Sequence, residues 1–95
     1  MAVLIYSEGS MSIIRPKGKK GFDIGELYQI LKAETIQILY LREGKIMIVD
    51  EDGKMNHKSP NKTATAILKT CGVQIPISGD FVVGDVLICD RLQLK

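Results

Sequence analysis

The sequence predicts an α+β fold, a small, mostly antiparallel sheet with two short helices in the order ββ-α-ββ-α-ββ. Three observations predict it. Short β-prone runs recur along the chain, several of them joined by tight turns containing glycine. Two segments switch to helical periodicity and carry helix start signals. The 95 residues, 45% of them hydrophobic, suit one packed domain over 1–95 rather than a disordered chain. Hairpins and helices in this mixture are expected to set both helices on one side of the sheet.

The elements follow in order. Ala2 to Tyr6 and Met11 to Arg15 are β-prone, and Ser7-Glu8-Gly9-Ser10 between them forms a turn. Residues 1–10 are read as an N-terminal extension strand. Pro16 ends the pairing, and Lys17-Gly18-Lys19-Lys20-Gly21 is a basic loop. Asp23 is an N-cap with Glu26 three residues later, which completes a capping box, and Phe22 and Leu27 hold the staple positions around it. Ile24, Leu27, Tyr28 and Leu31 share a face, so a helix is predicted over 24–32.

Thr35 to Leu41 alternates as a strand, Arg42 to Lys45 turns, and Ile46 to Val49 is its hairpin partner. Leu39 and Leu41 fall opposite Ile36, Ile38 and Tyr40, so both faces of this strand call for cover. Asp50 to Lys54 is an acidic turn, and Met55 to Lys58 carries no clear signal. Ser59 reads as the N-cap of a second helix with Pro60 at its first position. Ala64, Ile67, Leu68 and Cys71 form its apolar face, and Gly72 stops it. Val73 to Ile77, holding Pro76, suits an edge strand, and Val86 to Cys89 a buried one. Residues 91–95 read as a loose tail or a short edge strand.

Composition narrows the functional classes. Thirteen Lys and Arg against 11 Asp and Glu give a formal net charge of +2, too even to argue for nucleic acid by itself. The apolar runs fall far short of the ~20 residues of a membrane-spanning helix, so no membrane partner is expected. The opening run lacks a basic start and soon meets Glu8, which points to a cytoplasmic setting. Cys71 and Cys89 then read as reduced core thiols. His57 is the single histidine, which argues against a zinc site and against a Ser-His-Asp or Cys-His arrangement. No metal and no cofactor are expected.

From Ile13 to Asp90 the pattern resembles a family from phages, mobile elements and their bacterial hosts, the group called domain of unknown function 3846. The matching pieces are Phe22-Asp23-Ile24-Gly25-Glu26-Leu27, Ile36-Gln37-Ile38 and Ile48-Val49-Asp50-Glu51-Asp52-Gly53-Lys54. Pro60-Asn61-Lys62-Thr63-Ala64-Thr65 and Val83-Gly84-Asp85-Val86-Leu87-Ile88 follow in the same order. Where the family usually carries glycines before its central strands, this chain reads Lys32-Ala33-Glu34. The resemblance implies a small accessory protein and carries no established activity.

Three constellations have a chemical and a structural reading. Asp50, Glu51 and Asp52 offer oxygens to a hard cation, but the rest of a calcium loop is missing, so a solvated hairpin turn is the better reading. Glu51 and Asn61 are polar residues inside two of the matched motifs, and they are the candidate ligand- or partner-binding pair. If Asn61 caps the second helix, its role is structural. Arg15, Lys17, Lys19 and Lys20 form the one dense basic run, able to contact phosphates. No catalytic residue stands out. The function expected is therefore a small non-catalytic binding or interaction module of phage or mobile-element type, with a host protein or small ligand as partner. The alternative is a nucleic-acid-associated protein using the loop over 15–20, and the third reading is a small enzyme or ligand-binding protein using Glu51 and Asn61.

Overall fold

The structure, a computed structural model, describes residues 2–73 and 81–94. Five strands form one sheet: β1 (Ala2–Ile5), β2 (Met11–Ile14), β3 (Ile36–Tyr40), β4 (Lys45–Asp50) and β5 (Val86–Asp90). Their spatial order is β2-β1-β5-β4-β3, and every neighbouring pair is antiparallel. Two helices, α1 (Ile24–Leu31) and α2 (Lys62–Thr70), complete the α+β architecture. Among the described residues, no helix is long and apolar enough to cross a membrane.

β1 and β2 form one hairpin and β3 and β4 another, as the turn residues predict. The last strand, β5, then enters between the two hairpins, bonding to β1 on one side and β4 on the other. The opening strand, expected as an extension, thus lies inside the sheet. The edge strand expected over Val73 to Ile77 falls largely on residues 74–80, outside the described residues.

The helices do not share a side, contrary to expectation. Leu27 and Leu31 of α1 pack with Ala2, Leu4, Ile46, Ile48, Leu87 and Cys89. Ala64 and Leu68 of α2 pack with Ile5, Met47, Val49 and Val86. The reason lies in the central strands. Each carries apolar residues at both odd and even positions, so each presents an apolar surface to both faces. One helix covers each face, giving a three-layer sandwich. Cys71 and Cys89 are free, and they belong to different layers. Burial, aided by the Asp90 charge, pushes the Cys89 thiol up to about 11, so it is neutral near pH 7.

The start of α1 follows its local signals. Asp23 caps it by accepting the Glu26 N–H at 2.8 Å, and Phe22 and Leu27 are both buried as a staple. The reciprocal half of the box is diverted. Glu26 Oε2 accepts the Lys17 N–H at 3.0 Å and so ties the basic loop to the helix. Gly21 closes that loop at φ +113, where a Cβ would collide with the Gln93 carbonyl oxygen. The same approach lets the Phe22 N–H donate to Gln93 O at 2.7 Å and Phe22 bridge to Leu94. Residues 91–93 form a 3-10 turn held by these bonds, where the sequence suggests a loose tail or a short edge strand.

The C-cap of α1 is Lys32 in the left-handed region, φ 52 and ψ 48. A glycine adopts that conformation freely, and here a lysine closes the helix in its place.

Asp23→Ala should cost about 1 kcal/mol, the usual scale for a lost N-cap. Urea melts measure it, and an unchanged midpoint would show that the cap does not support the helix.

Candidate functional site

The start of α2 differs from the sequence reading. Asn61, not Ser59, is the N-cap, and Pro60 lies before the helix in an extended bridge to Val83. Proline favours an extended residue ahead of it, so Ser59 also stays outside the helix. Its carbonyl accepts the Gly84 N–H at 2.7 Å, and the Asn61 N–H donates to Val82 O at 2.7 Å. The linker before α2 is thereby stitched to the segment leading into β5.

Asn61 is completely buried, and its amide is fully engaged. Its side-chain oxygen accepts the Ala64 N–H at 3.0 Å. Its Nδ2 donates to Ile5 O at 3.1 Å and to Gly84 O at 2.9 Å. The Asn61 carbonyl accepts the Thr65 hydroxyl at 2.8 Å, and that hydroxyl oxygen accepts the Val82 N–H at 2.9 Å. No polar atom of Asn61 is presented to solvent. Glu51, by contrast, is exposed, and its backbone N–H donates to Thr35 O at 3.2 Å. The structure therefore gives the two residues separate environments and joins them by no bond.

A second buried network lies under the loop from Asp50 to Lys58. The Asp50 side chain is fully buried and pairs with Lys58 Nζ at 2.6 Å. Asp50 Oδ1 accepts the Asp52 N–H at 2.9 Å. Lys58 Nζ also donates to Leu31 O at 2.9 Å and Lys32 O at 3.0 Å, the last carbonyls of α1. Its three protons are thus all used, and a cation sits at the negative end of the helix. Thr35 Oγ1 donates to Asp52 Oδ2 at 2.8 Å. The acids read from sequence as a solvated turn are thus partly internal. Among the described residues, no group of three or more His, Cys, Asp or Glu is arranged to hold a metal ion.

These two networks frame a cleft of ≈ 250 Å³ between the end of α1 and the segment before α2. Ser7, Lys32, His57, Ser59 and Asp85 line it, with Gly84 and the Lys58 stem. Gly84 is at φ +80, and a Cβ there would come within 2.8 Å of Lys58 Cδ. The Ser7 N–H donates to Asp85 Oδ1 at 3.0 Å. Lys32, His57 and Ser59 are exposed, and their side chains enter no hydrogen bond among the described residues. Lys32 and His57 both have positive φ, 52° and 57°. Such strain in two side-chain-bearing residues at one cleft directs attention to it as a site.

The remaining candidates lie elsewhere. Arg15, Lys17, Lys19 and Lys20 are all exposed on the loop between β2 and α1. No single residue type in the sequence marks the cleft, because Lys32, His57 and Ser59 come from two segments joined only by the fold. The segment Met55 to Lys58 carries no clear signal in the sequence, so neither His57 nor the partners of Lys58 could be read from it.

Comparison with known proteins adds nothing to this geometry: no family model, curated protein or solved structure matches the chain.

Lys58→Met should lower stability by about 3 kcal/mol, because it strands a buried carboxylate and two helix-end carbonyls. Lys45 pairs with Asp90 at 2.6 Å near the surface, and this bond holds the Asp90 carboxyl below its usual range. Lys45→Met should leave the urea midpoint nearly unchanged, since solvent screens an exposed pair. Equal effects of the two substitutions in urea melts would contradict the buried-network account.

Proposed function

We propose that this protein is a small non-catalytic binding module that takes the anionic group of a small ligand, or of a host protein's terminus, into the polar cleft. One observation carries the reading. The polar groups beneath the cleft are bonded to one another, whereas Lys32, His57 and Ser59 at its mouth keep their side chains for an outside partner. Lys32 supplies charge to a carboxylate or phosphate, and the His57 imidazole and Ser59 hydroxyl supply hydrogen-bond donors. The locked frame favours binding, because little order is lost when a ligand enters. The phage or mobile-element setting rests on the sequence resemblance.

A second reading keeps the exposed loop of Arg15, Lys17, Lys19 and Lys20 as a phosphate-backbone contact. It is favoured by the density of charge there. The single loop and the near-neutral total charge argue for weak, salt-sensitive binding.

Nitrogen-15 chemical-shift mapping with a panel of small carboxylates and phosphates tests the first reading. Saturable shifts are expected at Ser7, Lys32, His57 and Ser59, and they should weaken strongly in Lys32→Gln with the melting temperature nearly unchanged. Shifts confined to residues 15–20, together with duplex DNA binding that survives high salt, would move the function to the basic loop.

A further inference from the structure

We propose that two copies of this chain join edge to edge through β2, forming one continuous ten-stranded sheet with two-fold symmetry. This inference is independent of the cleft. β2 is an edge strand, and it carries neither the proline nor the lysine with which edges are usually protected. Met11 and Ile13 are 56% and 66% exposed. They pair with Ile5 and Val3, so they extend the apolar face that α2 covers further in.

The backbone fixes the register. Tyr6 lies opposite Ser10, and its N–H donates to Ser10 O at 2.9 Å. Opposed pairs in an antiparallel ladder alternate between bonded and non-bonded. Ser12 and Ile14 therefore turn their backbone groups inward to β1, and Met11 and Ile13 turn theirs outward. A second β2 docking antiparallel must set odd residues opposite odd ones. Centring the axis on Ser12 sets Met11 of each copy opposite Ile13 of the other. That register satisfies all four outward groups of each strand and merges the exposed apolar side chains on one face.

Charge supports the same occupant. This register sets Arg15 of one copy opposite Gly9 of the other, next to Glu8, at both ends of the pairing. Glu8 lies in the turn ahead of β2 and Arg15 just past its end, so the segment is complementary to itself. Pairing β2 with the other edge, β3, would leave one β2 and one β3 edge free to pair again, and so grow without closing.

Sedimentation velocity of the full chain across a concentration series tests the proposal, with circular dichroism to check the fold. Wild type should double its mass as concentration rises. Ile13→Lys, at an exposed position, should stay monomeric and keep its melting temperature. Glu8→Arg and Arg15→Glu should each weaken the dimer about tenfold, the scale of two lost exposed ion pairs. The double variant should restore it. A wild type that stays monomeric throughout, a dimer that persists in Ile13→Lys, charge variants that fail to compensate, or open-ended growth would each overturn the proposal.

Discussion

A single buried amide ties the start of α2 to the centre of the sheet. Asn61 starts α2 and binds the last carbonyl of β1 and the glycine ahead of β5. Those two strands are neighbours at the centre of the sheet. The carbonyls of Ile5 and Gly84 lie where β1 ends and β5 is about to begin, beneath a helix, and both accept from the Asn61 amide. A buried carbonyl without a donor costs about 1–3 kcal/mol, a large share of the roughly 5–15 kcal/mol that stabilises a domain. An asparagine meets both carbonyls and caps the helix at the same time, which neither serine nor aspartate does. Among the described residues, no buried side-chain nitrogen or oxygen lacks a partner.

The Asp50–Lys58 pair performs the matching task on the other layer. It joins the end of β4 to the end of α1, across the sheet from the helix that Asn61 anchors. Burying an ion pair is costly, and its attraction alone seldom offsets the desolvation. Here the remaining hydrogen-bonding capacity is filled by helix-end carbonyls and loop N–H groups, which makes the arrangement tenable. The two anchors stand on either side of Gly84, and the cleft is the space left between them. Its shape is therefore a consequence of how the layers are tied together.

Legibility in the sequence followed the range of the interaction. Asp23, Glu26, Phe22 and Leu27 signal one another within a turn of helix, and the start of α1 was readable from them. Both hairpins were readable because their turns are local. The start of α2 was not, because Asn61 owes its role to Ile5, 56 positions away, and Gly84, 23 positions away. Ser59-Pro60 offered a stronger local signature, and tertiary bonding overrode it. The opposite placement of the helices was partly visible in the apolar residues on both faces of the third strand. The unbroken apolar run Ile46-Met47-Ile48-Val49 was the fuller sign, since only a strand covered on both sides tolerates it. The cleft was unreadable, for its residues meet only after β5 has entered between the hairpins.

The account rests on the Asn61 side chain being locked, and its own Nδ2 protons report that directly. Hydrogen exchange followed by NMR on selectively labelled asparagine should find both protons exchanging only through global unfolding, with the Ala64 N–H equally protected. Exchange of these protons at the rate of an unprotected asparagine amide would contradict the claim that this residue ties α2 to the sheet.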